Sequence, residues 1–372
     1  MATMRKHVKR QVLDVPAATE AVVRVRTGSR LHFGLWEICP RAAGAYGGLG
    51  LMTAHPSLEV MVAVGPRGSA PRFDCPTSLR VRCGDIFERW LSEPGHEGVP
   101  VSQITVRTAA TLHSGLGTGT QLTCALVSGL QSVATMAAED LAAGRRTGPH
   151  NIPGCGSVRS LIDLTGRGKR SKIGCTGFLH GGLILDHGDS TSGSRQSPAA
   201  ETVGLTGLAE PRFTAIRFPS VWRAVIILPP NRRPIHGDVE RRLFRQLGHN
   251  PNPRRQVMQE LAENILEAAR NEDFPAFCQQ LDDYMLLAGQ LFSPMQGGIY
   301  NGPEVHAAVD AAREVGLAGV GQSSWGPAVF GFTSDQSSAQ EAVQRLAETT
   351  QWRVFSTTAL DGGATVEIEC SR

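Results

Sequence analysis

The residues best suited to chemistry lie in a glycine-rich segment, HSGLGTGTQ at 113–121, between a predicted strand and a predicted helix. Alternating glycines let backbone N–H groups converge, and a helix N-terminus adds positive partial charge. No Lys follows the last glycine, as a Walker A loop requires. The pattern predicts a di- or triphosphate site at Gly115, Gly117, Thr118, Gly119 and Thr120. The alternative is an ordinary strand-to-helix turn.

A second glycine-bounded loop, GRGKRSKIG at 166–174, carries four cations within six residues. Arginine suits bidentate phosphate contacts and lysine acts as a point charge. The same run could be a solvated surface loop, since charge runs often are. Arg167, Lys169 and Arg170 are therefore candidate anion ligands, and two anion-binding loops predict a substrate with more than one phosphate.

A third segment, SRLHFGLWE at 29–37, offers a cation, a group that titrates near neutrality and a carboxylate. These are Arg30, His32 and Glu37, the candidate catalytic residues. Strand alternation places Arg30 and His32 on one face. A lone histidine in such a pattern is more often a structural hydrogen-bonding group than a catalyst.

A fourth segment, GVGQSSWGP at 319–327, joins a predicted helix to a predicted strand. Its candidate pocket residues are Gln322, Ser323, Ser324 and Trp325, with Tyr46 from an earlier glycine-rich stretch. The competing interpretation is a helix C-cap followed by a core tryptophan.

The sequence gives little support to a metal held by the protein. The 11 histidines and eight cysteines show no HExxH pattern and no paired Cys/His spacing. We therefore expect no metal ligands among the side chains, and Mg²⁺ that arrives with the diphosphate.

The elements that must position these segments follow from the hydrophobic periodicity. Strands are predicted at 21–26, 58–64, 104–108, 223–228, 328–332 and 364–369, and a buried strand or hairpin at 177–186. Helices are predicted at 120–137, 256–270, 275–288, 303–315 and 339–349. Because strands and helices mix without strict alternation, the fold class is α+β.

The length of 372 residues, with 41% hydrophobic and 19% charged residues, is typical of a globular protein with two lobes. We expect a flexible leader at 1–20, an N-terminal lobe at 21–200 and a C-terminal lobe at 211–372. A net charge of +3 is too small to indicate a nucleic-acid partner. Scattered cysteines and the lack of a long apolar stretch predict a cytoplasmic protein that does not bind membranes.

Six segments, taken in order, resemble those of the GHMP kinase superfamily and, within it, the β-ribofuranosylaminobenzene 5′-phosphate synthases. They are SRLHFGLWE, AYGGLGL, HSGLGTGTQ, GRGKRSKIGCTGFLHGGLILDHG, PIHGDVE and GVGQSSWGPAVF. The resemblance implies an N-terminal lobe like ribosomal protein S5 domain 2, a ferredoxin-like C-terminal lobe, an active site between them and a homodimer. It also implies condensation of phosphoribosyl pyrophosphate with 4-hydroxybenzoate or 4-aminobenzoate, releasing pyrophosphate and CO₂, in tetrahydromethanopterin biosynthesis.

The resemblance also suggests roles. The glycine-rich segment would hold the diphosphate, and the cationic loop would hold the 5′-phosphate or the arene carboxylate. His32 and Glu37 would manage protons and Arg30 would bind an anion. The chain departs from the family pattern at Ala45, where relatives have Arg, and at Glu37, where they have Asp.

Two other functions compete with this one. An ATP-dependent GHMP kinase generally needs an Asp or Lys catalyst beside the second glycine-rich segment, and GRGKRSKIG contains no carboxylate. A nucleic-acid-binding module would need a continuous basic face, whereas the basic cluster is confined to one loop.

Overall fold

The computed structural model describes residues 20–42, 45–65, 70–108, 112–135, 146–147, 151, 155–188, 211–230, 235, 237–247 and 250–371. Its strands are β1 (Glu20–Leu35), β2 (Gly48–Val64), β3 (Arg72–Asp74), β4 (Val101–Thr108), β5 (Arg146–Thr147), β6 (Leu183–Asp186), β7 (Phe213–Ile216), β8 (Arg223–Leu228), β9 (Ala318–Gln322), β10 (Val329–Thr333), β11 (Arg353–Thr357) and β12 (Thr365–Ser371). Its helices are α1 (Thr77–Leu91), α2 (Thr118–Thr135), α3 (Val158–Thr165), α4 (Ile173–His180), α5 (Gly237–Leu247), α6 (Arg255–Arg270), α7 (Phe274–Gln296), α8 (Pro303–Glu314) and α9 (Gln336–Thr349).

The first sheet has eight strands, in the order β3-β4-β2-β1-β12-β5, with β6 paired to β2 and β7 paired to β6. The two halves of strand β1 pack in two different hydrophobic cores. Val23 and Val25 pack with α1 and α2 in one core. Leu31 and Phe33 pack with α6 and α7 in the other. The second half of β1 thereby carries its polar residues to the junction between the two cores.

The second sheet has four strands in the order β11-β8-β10-β9 and is covered on both faces. Strand β8 is buried because its side chains pack on both faces of the sheet. Ala224 and Ile226 face the core built with α6 and α7. Val225 and Ile227 face the core built with α8 and α9. Alternate side chains thus enter opposite cores, as the period of two in a strand requires.

The predicted α+β class is confirmed, but several predicted elements need correction. The strand predicted at 58–64 begins at Gly48, and the helix predicted at 275–288 continues to Gln296. Strand β1 extends through the SRLHFG segment and does not end near residue 26. The stretch 177–186 is not one strand or hairpin, since α4 runs to His180 and only Leu183–Asp186 is a strand. The glycine-rich stretch 319–326 begins as strand β9 and turns only after Gln322. For β1 and β9, pairing with a neighbouring strand outweighs local composition.

The two lobes do not divide the sheets as the predicted ranges would. Strand β12, from the end of the predicted C-terminal lobe, lies beside β1, and Val25 is opposite Val366. Strand β7 extends the same sheet through β6. The predicted leader, except for Glu20, and residues 189–210, which include the junction between the two predicted lobes, fall outside the described residues. Within the described part of the chain, no helix is both long enough and apolar enough to cross a membrane.

Candidate active site

A cleft of about 610 Å³ lies where β1, the N-terminus of α2, the cationic loop, the turn after β9 and helices α5 and α7 meet. Both anion-binding loops predicted from the sequence face it. The predicted residues that line it are Arg30, His32, Gly115, Gly117, Thr118, Gly119, Thr120, Arg167, Lys169, Arg170, Gln322, Ser324 and Trp325. Segments more than 280 positions apart in the sequence therefore share one cavity.

The glycine-rich segment is fixed against β1 and against the turn after β9. The Arg30 N–H donates to the Leu116 carbonyl at 2.9 Å. Gly115 and Gly117 have φ angles of 86° and 70°, a region that favours glycine. A Cβ on Gly115 would lie 2.7 Å from the Ser323 carbonyl oxygen. The glycines thus allow a turn that brings the N-terminus of α2 to the cleft, and the Gly117 carbonyl accepts the Thr120 N–H at 2.9 Å.

Three arginines surround this helix end, and we call Arg30, Arg82 and Arg167 the guanidinium cluster. Arg167 Nη2 donates to Thr120 Oγ1 at 3.1 Å. Desolvation and the nearby Arg167 lower the pKa of Arg30 to about 10. The same two causes lower the pKa of Arg82. Like charges held this close favour an anion between them.

Sequence reasoning did not find Arg82. It lies on α1, a helix without a recognisable motif, and reaches the cleft only because α1 packs beside α2. Glu240, Arg241 and Phe244 on α5 also line the cleft and were not predicted. They lie in or just after the PIHGDVE segment, which contributed only to the family resemblance and not to the prediction of site residues.

His32 lies in the cleft as a neutral imidazole with a fixed tautomer. The Gly34 N–H donates to Nδ1 at 3.1 Å, so the ring proton is on Nε2, which donates to Ser171 Oγ at 2.9 Å. Burial, followed by the charge of Arg30, lowers the pKa of His32 well below 6.5. The predicted proton transfer by His32 therefore lacks a free ring nitrogen, and its contacts instead orient the Ser171 hydroxyl.

Glu37 is not in the cleft, which contradicts its prediction as a catalytic residue. Its side chain is fully buried, and its carboxylate accepts N–H bonds from Ile38, Cys39 and Asn252 at 2.8 to 3.0 Å. The Asn252 side chain also donates to the Trp36 carbonyl. The carboxylate ties the turn after β1 to the segment that precedes α6, so its function is structural.

Two of the predicted pocket residues serve mainly to build the wall. Ser323 Oγ accepts from the His32 N–H at 3.0 Å and donates to the Gly115 carbonyl at 2.8 Å, away from the cleft lining. Gln322 does line the cleft, but its side-chain amide bonds to Asn301 and to the Ser324 carbonyl. Tyr46 is not among the lining residues, and its ring lies edge-to-face with Phe244 at 6.5 Å between centroids.

Another part of the cleft lining is aromatic, and we call Phe244, Phe292 and Trp325 the aromatic corner. The Phe292 and Trp325 rings are 4.9 Å apart, and Phe244 lies 6.0 Å from each. The Arg170 guanidinium lies 4.2 Å above the Phe244 ring. Glu240 accepts a hydrogen bond from Trp325 Nε1 and forms an ion pair with Arg170. A planar, weakly polar group fits such a corner.

The cleft offers little to a metal ion held by the protein alone. Among the described residues, no group of three His, Cys, Asp or Glu side chains comes together. Among the described residues that line the cleft, the one carboxylate is that of Glu240. It forms an ion pair with Arg170 and accepts a hydrogen bond from Trp325 Nε1. The hydroxyls of Thr118 and Thr120 are the other oxygen ligands near the helix end. These donors fit an ion whose ligands come mainly from phosphate oxygens and water.

Comparison with known proteins agrees with this architecture. Residues 254–350 match the family model described as GHMP kinases C terminal. A homoserine kinase from Cytophaga hutchinsonii superposes with a TM-score of 0.55 at 16% identity, covering 97% of this chain and all of that one. A mevalonate diphosphate decarboxylase from Enterococcus faecalis gives 0.56 at 15%, covering 95% of this chain and all of that one. These identities show the fold alone.

Curated relatives are more specific. A beta-ribofuranosylphenol 5′-phosphate synthase from Methanothermobacter thermautotrophicus is 27% identical over 84% of this chain and 89% of its own length. The protein of the same name from Archaeoglobus fulgidus is 24% identical over 93% of this chain and 100% of its own. The predicted resemblance is therefore confirmed: this chain has the GHMP kinase fold and is related along most of its length to the beta-ribofuranosylphenol 5′-phosphate synthases.

Proposed function

We propose that this chain is a pentosyltransferase of the β-ribofuranosylphenol 5′-phosphate synthase type. It condenses phosphoribosyl pyrophosphate with an aromatic acid and releases pyrophosphate and CO₂. The observation that carries the proposal is the single cleft lined by two anion-binding loops and the aromatic corner. The names of the curated relatives support it and, because the product they name is a phenol, favour 4-hydroxybenzoate over 4-aminobenzoate.

The proposed reaction forms one carbon–carbon bond and breaks two bonds. The bond from ribose C1 to the diphosphate oxygen breaks, and its electron pair leaves with pyrophosphate. The ring carbon that bears the carboxylate attacks C1, and the bond to the carboxyl carbon then breaks, returning its electron pair to the ring as CO₂ departs. No proton leaves the ring carbon. The site must therefore stabilise departing negative charge and exclude water, tasks suited to fixed cations and donors.

The residues of the cleft match those tasks. The guanidinium cluster and the N-terminus of α2 supply positive charge at one end. Because His32 donates to Ser171 Oγ, the Ser171 hydroxyl hydrogen is directed toward an acceptor in the cleft, where Ser171 lies. A neutral imidazole adds no charge that would compete with the arginines for the anion.

Magnesium is part of the proposal as an ion that arrives on the diphosphate. Mg²⁺ neutralises charge on phosphate oxygens and keeps several waters when few protein ligands are offered. Thr118 and Thr120, which line the cleft, would contact the water shell of the ion. The homodimer and the place in tetrahydromethanopterin biosynthesis rest on the family resemblance, and the cytoplasmic location rests on the scattered cysteines and the lack of a long apolar stretch; all three stay predictions.

The decisive experiment follows both leaving groups. The purified protein is incubated with phosphoribosyl pyrophosphate, Mg²⁺ and carboxyl-labelled 4-hydroxybenzoate, and CO₂ and pyrophosphate are measured together. We expect equimolar release of both, with 4-aminobenzoate as a second acceptor in a parallel reaction. Gly117→Val is the control, since its side chain would meet Arg30 atoms within 3.2 Å. No CO₂ from either acid would refute the proposal, and phosphate transfer from ATP to a small alcohol would favour the kinase.

A further inference from the structure

We propose that Arg82 on α1 binds the diphosphate leaving group, so that the diphosphate lies at the guanidinium cluster and the arene lies at the aromatic corner. The inference rests on the proposed function for the identity of the substrates. It adds a binding residue that no motif indicates, and it orients both substrates along the cleft.

Helix packing fixes the position of Arg82. Leu79, Cys83 and Phe87 on the same helix are buried in the core that also contains Leu122 and Leu126 of α2. Arg82 lies next to that buried face, so its side chain is held close to α2. A Cβ on Gly119 would be only 2.8 Å from Arg82 Nη2, which places the guanidinium against the first turn of α2.

Described carboxylates compensate the charges of the cluster only in part. Glu240 acts electrostatically on Arg30 and Asp85 acts on Arg82. Among the described residues, neither carboxylate forms an ion pair with these arginines, and Arg30 Nε has no hydrogen-bond partner. Arg167 is close enough to lower the pKa of both. Three guanidinium groups held together in this way are stabilised when an anion with several oxygens enters.

The ligand that fits this end is a diphosphate and not the arene carboxylate. Three planar forks and a helix N-terminus match many oxygens and several negative charges. An aromatic acid carries one carboxylate and a ring that needs apolar contact. The aromatic corner offers that contact, together with Arg170 above Phe244. Negative charge also grows on the diphosphate as its bond to C1 breaks, so cations at this end act on the transition state.

The test separates binding from turnover. Pyrophosphate, with and without Mg²⁺, is titrated into the wild type and into Arg82→Gln by calorimetry. Arg80→Gln is the matched control, because Arg80 is exposed on the same helix and does not line the cleft. We expect pyrophosphate affinity to fall at least tenfold in Arg82→Gln and to change less than twofold in Arg80→Gln. Arg82→Lys should recover part of the affinity, since it keeps the charge without the fork.

Binding of the aromatic acid should show the opposite dependence on the two sets of residues. Affinity for 4-hydroxybenzoate should change less than twofold in Arg82→Gln but fall at least fivefold in Phe292→Leu, which in turn leaves pyrophosphate binding within twofold. Unfolding midpoints of the variants show whether each remains folded. Unaltered pyrophosphate affinity in Arg82→Gln, or no pyrophosphate binding by the wild type, overturns the inference. If the wild type releases no CO₂ but binds pyrophosphate through Arg82, the proposed function fails while the binding site stands.

Discussion

At the scale of single residues, His32 shows how hydrogen bonds decide what a titratable side chain can do. The Gly34 N–H, which can only donate, occupies Nδ1 and places the ring proton on Nε2. Since Nε2 donates to Ser171, both ring nitrogens are engaged. Folding therefore selects the neutral form, and burial and Arg30 reinforce that choice. The imidazole acts through the serine that it orients.

Replacing His32 by Gln should retain much of this function. The amide nitrogen of Gln can stand where Nε2 stands and donate to Ser171, whereas Phe fills the space without a donor. We expect His32→Gln to keep kcat within about tenfold of the wild type and His32→Phe to lose considerably more, about 2 kcal/mol of transition-state stabilisation if the serine is misdirected. Steady-state kinetics with both substrates measures the difference.

The pH dependence of stability checks the protonation state independently. Because the pKa of His32 is lower in the folded than in the unfolded chain, the unfolded chain binds more protons below about pH 6.5. Stability is then full above that pH and falls as the solution is acidified. The unfolding midpoint of His32→Gln should fall less than that of the wild type between pH 7.5 and 5. Equal slopes would show that folding does not lower the pKa of His32.

At the scale of elements, the first turn of α2 uses neighbouring glycines for different physical reasons. Gly117 has a φ of 70°, which a side chain adopts only with strain. Gly119 lies inside the helix without such an angle, and its missing Cβ leaves room for Arg82. Gly117 therefore allows the backbone conformation of the turn, and Gly119 leaves space for the Arg82 side chain from α1.

Alanine at these two positions should separate the two functions. Gly119→Ala should leave the free energy of unfolding unchanged or raise it by up to about 1 kcal/mol, since alanine favours helices. It should raise KM for phosphoribosyl pyrophosphate about tenfold, because the new Cβ displaces the Arg82 guanidinium. Gly117→Ala should lower stability by about 1 to 2 kcal/mol. Denaturant unfolding and initial rates measure both; an unchanged KM in Gly119→Ala would contradict the placement of Arg82.

The elements that the sequence predicted well are those with local signals. Helices α6 to α9 have apolar residues at helical spacing, and α8 begins at a proline, so the predicted ranges of α6, α8 and α9 were close. The predicted range of α7 ended at 288, whereas the helix continues to Gln296. The full length of β1 was missed because Thr27, Gly28 and Ser29 interrupt the alternation, which resumes at Arg30 and continues to Phe33. Its extension comes from pairing with β2, for example Leu31 with Leu51. Arg82 was missed for a related reason: only the packing of α1 beside α2 brings it to the cleft.

At the scale of the whole molecule, long-range contacts lock the parts of the cleft together. Ser323 bonds to both His32 and Gly115 and so joins the turn after β9 to the first sheet and the glycine-rich segment. The buried carboxylate of Glu37 joins β1 to the segment before α6. Strand β12 returns the end of the chain to β1. These long-range contacts could not be predicted from local patterns in one sequence, because each depends on which distant segments come together in the fold.

Strand β12 gives a prediction for the stability of the whole fold. Ile368 is 4% exposed and packs in the core with α1 and α2, whereas Glu367 on the other face pairs with Arg26, whose side chain is about half exposed. Ile368→Ala should lower the free energy of unfolding by about 2 to 4 kcal/mol through lost burial and a cavity. Glu367→Ala should cost at most about 1 kcal/mol, because exposed ion pairs contribute little. Denaturant titration compares the two variants. If β12 did not complete the first sheet, the two losses would be similar and small, and the end of the chain could be removed without unfolding the lobe that carries the guanidinium cluster.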